Sequence, residues 1–342
     1  MKNFSRKIYL SLALVLLAAL LIACAPVPAG TSSAVSGGQT AAASTENSAG
    51  KFELRIGYQR GGEYWNLLKA QGTLEKRFGP DVKITWALFP AGPPLLEALN
   101  AGAVDIGAVG ETPPIFAQAA GAPLLYVAQQ SGSGAGSAII VPENSPLKTV
   151  ADLKGKKVAF TKASSAHLLT IRALEKSGLT YGDIEPALLS PPDARAAFEG
   201  GSVDAWTVWN PFLESAIQEL RARVLIDGKD VSPTKGYVIA AKPFVDAHAD
   251  AVLAIIEELR NAQAWSADHL DEFSALLEKE TEIPASVWKG GFDRELPDLL
   301  FIDDEAVAYQ QKVADIFFEL QLIPEKIDIK SVVWYGDLAV KK

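Results

Sequence analysis

Apolar residues in the first two thirds of the chain come in short runs separated by segments with helical spacing. Leu54–Tyr58, Lys83–Phe89, Val104–Val109 and Lys157–Phe160 read as strands. Gln59–Gly62 is a turn, and a helix is expected from there to about Phe78. Pro93–Asn100 places Leu95, Leu96 and Leu99 on one helical face, and Ser164–Ser165 opens a helix that buries Leu168, Ile171 and Leu174. This alternation of strand and helix predicts an α/β chain with mostly parallel sheets flanked by helices. From Asp246 to Leu322 the spacing turns helical, with Val252, Ile255, Ile256 and Leu259 on one face and a second stripe over 307–320.

The pattern also echoes itself. Residues 95–113 (LLEALNAGAVDIGAVGETP) and 194–211 (ARAAFEGGSVDAWTVWNP) both run helix, glycine turn, Val-Asp, apolar strand, proline loop. Strand–loop–helix 54–78 has its counterpart in 157–177. Two lobes of similar build follow: residues 51–140 as the first, 141–236 as the second, and 237–342 as a return to the first with bracing helices. The crossings are expected near Ile139–Val141 and Tyr237–Ala240, a two-stranded hinge that would let the lobes close on a ligand. Asp105 and Asp204 recur at the strand entries and are expected to satisfy backbone groups there.

The amino terminus changes the compartment. Lys2, Arg6 and Lys7 precede an apolar run from Ile8 to Ala23, interrupted by Ser11 and short of the ~20 residues of a comfortable span. The run ends in Leu21-Ile22-Ala23-Cys24, which resembles a bacterial lipobox. Residues 1–23 are therefore expected to be a signal peptide, Cys24 the lipidated residue, and the Ala/Ser/Gly/Thr-rich stretch 24–50 a flexible tether. Cys24 is the single cysteine, so no internal disulfide forms and no thiol remains for catalysis or metal binding; with three histidines, no metal site and no cofactor are expected. Cleavage removes three of the 32 basic residues and none of the 41 acidic ones, leaving a net charge near −12. That balance disfavours nucleic acid and anionic lipid as partners. An anionic ligand would have to be held by local chemistry.

In open α/β sheets a ligand sits beyond the carboxyl ends of strands, where helix starts present free N–H groups to an anion. The segments so placed are Gln59–Gly62, Gly110-Glu111-Thr112, Thr161–His167 and Trp206–Pro211, two from each expected lobe. Candidate contacts are Gln59, Gly110, Glu111, Thr112, Ser164, Ser165, His167, Trp206 and Asn210. Ser164 and Ser165 read equally as helix caps. Period two separates Trp206 and Val208 from Thr207 and Trp209, so one tryptophan is core and the other borders the cleft; Trp206 is taken as the cleft residue. Tyr64 and Trp65 suit either a ligand roof or the sheet.

Taken together, IGYQRG (56–61), LEKRF (74–78), FPAGPPLLEALNAGAVDIGAVGETPPIFAQAAGAPLLYV (89–127), ENSPLKTVADLKGKKVAF (143–160), PDARAAFEGGSVDAWTVWNPF (192–212) and LIPEKIDI (322–329) closely resemble the aliphatic-sulfonate-binding proteins of ABC importers, relatives of the taurine- and nitrate-binding proteins. The resemblance implies a two-lobed periplasmic-binding (type II) fold with the ligand in the inter-lobe cleft. It also implies no catalysis and a permease with its ATPase as partners; with the leader, an extracytoplasmic, monomeric binding protein is expected. Ser164, Ser165 and His167 match the family's Ser-Ser-x-His pattern, and Gln59 and loop 110–114 match as well. The chain departs from the family at Glu111, where Asp is usual, and at Asn210, where Trp-Asp-Pro is usual. A sulfonate has no proton to donate, so Glu111 is expected to point away and offer its backbone N–H, or else to pair with an amine such as that of taurine. The competing ligands are taurine, nitrate or a thiamine pyrimidine precursor. A desulfinase on this fold would need a cysteine in the cleft.

Overall fold

In a computed structural model of the chain, residues 51–231 and 233–336 are described; Cys24, the leader and the tether lie outside them. Strand β1 (Phe52–Gln59) leads into α1 (Glu63–Gln71), α2 (Thr73–Phe78), β2 (Val82–Phe89), α3 (Gly92–Asn100), β3 (Ile106–Gly110), α4 (Thr112–Ala119) and β4 (Leu124–Gly132). The chain continues through β5 (Ser137–Val141), β6 (Lys157–Phe160), α5 (Ser165–Lys176), β7 (Glu185–Leu188), α6 (Pro191–Glu199), β8 (Ala205–Trp209), α7 (Phe212–Leu220) and β9 (Arg223–Asp227). It ends with β10 (Thr234–Ala241), α8 (Lys242–Ala247), α9 (Ala249–Asp268), α10 (Leu270–Thr281), α11 (Ala285–Arg294), β11 (Asp298–Leu300) and α12 (Asp304–Glu319). The single helix expected up to Phe78 is two helices. Gly72 adopts the left-handed conformation (φ 59°, ψ 36°) and turns its N–H back onto the carbonyls of Leu68 and Lys69, which closes α1.

Two sheets result, in the orders β11-β4-β10-β3-β1-β2 and β7-β6-β8-β5-β9. Strands β2-β1-β3 and β7-β6-β8 are parallel, as the alternating pattern predicts. Beside each trio lies an antiparallel strand, β10 in one sheet and β5 in the other. These two strands correct the expected crossings. Ile139–Val141 lies within β5 and Tyr237–Ala240 within β10, all of them buried. Among the described residues, the sheets are joined through 133–136, just before β5, and through 228–231 and Pro233, just before β10. An apolar β-like run marks a buried central strand, whereas the crossing itself (Ser133-Gly134-Ala135-Gly136) has no apolar period to reveal it.

The echo in sequence is an echo in hydrogen bonding. The Asp105 carboxylate accepts from the Arg55 N–H at 2.8 Å while the Asp105 N–H donates to the Arg55 carbonyl at 2.8 Å. Asp204 does the same with Lys157, at 2.8 Å in both directions. Each aspartate ties the start of one strand to its parallel neighbour, where the ladder would otherwise leave an N–H open.

The carboxyl-terminal helices brace the first sheet: Val252, Ile255, Leu259, Phe273, Leu277 and Phe317 share one core with Leu54, Ile56 and Ile106. They also reach the second lobe. Arg294 in α11 pairs with Glu214 in α7 at 2.8 Å, and the Gln218 amide donates to the Ser286 carbonyl at 3.0 Å.

Candidate functional site

The loops and helix starts at the carboxyl ends of the parallel strands face one another across the gap between the two sheets. They enclose a cavity with about 190 Å³ of space open to water-sized molecules. Gly61 and Gly62 before α1, Gly92 at the start of α3, Gly110 before α4, Ser164 and Ser165 at α5, and Asn210 and Pro211 before α7 all line it. The positive ends of five helix dipoles meet at one cavity and favour an anion there. Free first-turn N–H groups come mainly from α5 and α7, because Pro93, Pro94, Pro113 and Pro114 remove donors from α3 and α4 and the Glu63 carboxylate takes its own N–H at α1.

The two sides touch. A Cβ on Gly61 would lie 2.7 Å from the Asn210 carbonyl oxygen, and one on Gly110 would lie 1.9 Å from Ser165 Oγ. Ser165 Oγ donates to Glu111 Oε2 at 2.8 Å, which links the loop after β3 to the start of α5. The Glu111 carbonyl in turn accepts from Gln310 in α12 at 2.6 Å.

Of the nine candidates, Gln59, Gly110, Ser164, Ser165 and Asn210 line the cavity. The Gln59 amide gives one N–H to the Ala108 carbonyl at 2.9 Å, leaving its second N–H for a ligand. The hydroxyl donors expected of the serines are largely spent. Ser164 Oγ donates to the Thr161 carbonyl at 2.7 Å, and Ser165 Oγ to Glu111, so this segment's offer to an anion is its backbone N–H groups. Neither serine caps α5 with its side chain.

Four candidates lie elsewhere. Glu111 is buried behind the cavity with its carboxylate on Ser165; burial pushes its pKa up, opposed by its hydrogen bonds and by the positive charge of Arg172. Thr112 is fully buried, and its hydroxyl has no partner among the described residues. His167 is a core residue, stacked on Phe160 (5.0 Å between centroids) and edge-on to Phe317 (5.5 Å). Its Nδ1 accepts from the Ala163 N–H at 3.3 Å, and burial lowers its pKa to about 4, so it is neutral at physiological pH. Trp206 packs on Phe198 in the core of the second lobe, and Trp209 is the tryptophan at the cavity. Alternation had separated the two correctly; the last residue of a strand is the one that reaches the rim. Tyr64 and Trp65 are both buried in the first core.

Other lining residues carry no signal in the sequence. Val287, Trp288, Gly291 and Phe292 of α11 supply an apolar wall, and Glu63, Lys235 and Glu295 supply charge. Glu63 directly follows the turn at 59–62; the others lie far from it in sequence and join it only through the tertiary fold, and no local period marks any of them. Glu295 Oε1 accepts from the Gly134 N–H at 2.8 Å and Ser133 Oγ at 3.2 Å, and its Oε2 accepts from the Gly136 N–H at 3.1 Å, so this carboxylate holds the first crossing segment. Among the described residues no group of three or more His, Cys, Asp or Glu is placed to hold a metal.

Two α/β lobes joined by two crossing segments, with helix starts converging on the cavity between them, define a solute-binding protein. Residues 73–262 match the family described as ABC transporter, phosphonate, periplasmic substrate-binding protein. The periplasmic aliphatic sulphonate binding protein SsuA of Escherichia coli is 44% identical, with 83% of this chain and 92% of that one covered and a TM-score of 0.76. The alkanesulfonate-binding protein SsuA of Xanthomonas axonopodis pv. citri, solved bound to MOPS, is 39% identical over 84% of this chain and 99% of its own, with a TM-score of 0.80. A curated relative of Bacillus subtilis, named provisionally for aliphatic sulfonates, is 33% identical over 82% of this chain and 85% of its own. The chain belongs to the periplasmic substrate-binding proteins of ABC transporters, in the aliphatic-sulfonate-binding group. It is a binding protein, not an enzyme; it works outside the cytoplasm, with a permease and an ATPase as partners.

Proposed function

We propose that the cleft captures an aliphatic sulfonate and presents it to the importer for sulfur acquisition. The observation that carries this reading is the division of the cavity. One part is built of helix starts and glycine backbone; the other is the apolar wall of Val287, Trp288 and Phe292. An oxyanion with an alkyl tail uses both, whereas nitrate or sulfate would leave the apolar wall idle. Gln59, Gly110, Ser164, Ser165 and Asn210 hold the anion in this reading, and Glu111 fixes Ser165 from behind.

Calorimetric titration of the mature chain with alkanesulfonates of rising length, beside alkylphosphonates, taurine, nitrate and sulfate, tests it. Affinity should climb by up to ~0.8 kcal/mol per methylene, and sulfonates should outbind phosphonates of equal tail. Binding of nitrate or sulfate with no response to tail length would end the sulfonate reading.

The same proposal includes retention at the membrane by lipid on Cys24, supported by the basic, apolar and small-residue sequence that precedes it. Replacement of Cys24 by serine should move the protein from the detergent-extracted membrane fraction to the soluble extracytoplasmic fraction. An unchanged distribution would remove the anchor.

A further inference from the structure

A carboxylate stands in the cavity without a countercharge. Glu63, the first residue of α1, is 8% exposed and lines the cavity. Among the described residues no other residue's side chain or backbone hydrogen-bonds its carboxylate and no cation pairs with it; it is held by its own backbone N–H alone. Tyr64, next to it, is tied by its hydroxyl to the Pro297 carbonyl at 2.5 Å, which fixes the start of α1 against the segment after α11. That segment and α11 bring Glu295, Trp288 and Phe292 to the same cavity. Gly110 and Ser165, which meet elsewhere on the lining, belong to other elements, β3 and α5. A buried carboxylate beside aromatic rings in a cavity is the arrangement that recognises an ammonium group.

We infer that Glu63 forms a second subsite, which receives a protonated amine on the ligand, so that the cleft prefers zwitterionic aminoalkanesulfonates to simple alkanesulfonates. This rests on the sulfonate reading above and deepens it. Lys235, which also lines the cavity, does not fill the role: its ammonium lies 3.4 Å from Gln129 Oε1 and 5.8 Å from the centre of the Tyr309 ring.

The electrostatics sharpen the consequence. Burial raises the pKa of Glu63 to about 7, with the negative charge of Glu295 adding to it and its own N–H opposing it. Glu295 and Asp298 on the segment after α11, Tyr64 on α1 and Lys235 on β10 are the other titratable groups around it. Near neutral pH the empty site is therefore partly protonated. An ammonium ligand favours the ionised form, so its binding releases a proton and strengthens as pH rises through about 7. A simple alkanesulfonate favours the protonated form, takes up a proton and weakens over the same range.

The test is calorimetry of the mature chain with aminopropanesulfonate and butanesulfonate, matched in length, at pH 6 and pH 8 in buffers of different ionisation enthalpy. The wild type should bind the amine tighter at pH 8 and release protons. Glu63→Gln should lose roughly tenfold to a hundredfold in affinity for aminopropanesulfonate, the range of a charge-assisted hydrogen bond, while holding or gaining affinity for butanesulfonate. Wild-type binding of butanesulfonate with equal or weaker binding of the amine overturns the subsite and leaves the sulfonate reading standing. Equal losses for both ligands in Glu63→Gln also overturn it. Binding of neither sulfonate by the wild type overturns both.

Discussion

Gly61→Ala should bind ligand about tenfold to a hundredfold more weakly than the wild type while folding normally. The added Cβ would sit 2.7 Å from the Asn210 carbonyl oxygen and 3.2 Å from Pro211 Cδ. Both are parts of a backbone segment, so no side-chain rotation relieves the clash. Overpacking of this kind costs about 1–3 kcal/mol, and 1.4 kcal/mol is a factor of about ten in affinity. The cost falls on the state in which loop 59–62 touches loop 210–211. It does not fall on either lobe alone, because Gly61 is not held at positive φ and alanine is at ease there once the loops part. The variant should keep its melting temperature without ligand, lose affinity in calorimetry, and show no ligand-induced contraction in small-angle scattering. Wild-type affinity with normal contraction would mean that contact between these loops is not what ligand binding requires.

The contact at Gly61 also shows what the sequence carried and what it did not. Loop 59–62 was legible because strand, glycine turn and helix follow one another locally, and the same local order put Gln59, Gly110, Ser164, Ser165 and Asn210, which line the cavity, among the candidates. Asp105 and Asp204 were legible because one hydrogen-bonding task occurs twice and left the same residue in the same place. His167 misled because its place in a matching motif says nothing about which way the ring turns; Phe160, Tyr181 and Phe317, from three other segments, enclose it. The crossings were displaced because apolar strength marks burial, and the residues that link the lobes are not buried for their hydrophobicity. Trp288 and Glu295 were invisible because more than two hundred residues separate α11 from α1; Glu63 stands beside the legible loop, but an acid at a helix start does not declare that its carboxylate is buried. A residue's chemistry is local information; whether it faces a cavity is not.

Glu295→Ala should lower both thermal stability and ligand affinity, the latter by at least about tenfold. The carboxylate accepts three hydrogen bonds from the crossing segment, from the N–H groups of Gly134 and Gly136 and the hydroxyl of Ser133. Hydrogen bonds to a charged acceptor contribute about 1.5–3 kcal/mol each, and alanine would leave the two backbone donors to water in the cavity. The segment they fix is one of the two links between the lobes, so its geometry sets how the lobes meet. A second effect has the opposite sign, because Glu295 also lines the cavity and its removal takes a negative charge away from an anionic ligand. Three donors already surround that charge and spread it, so the hinge term should win. Glu295→Gln separates the two: it removes the charge as fully as alanine does, yet keeps one acceptor oxygen. If holding the crossing segment is the role, glutamine should fall between wild type and alanine in both melting temperature and affinity. If both variants bind a simple alkanesulfonate more tightly than the wild type, the charge is what Glu295 contributes and its grip on the hinge is incidental.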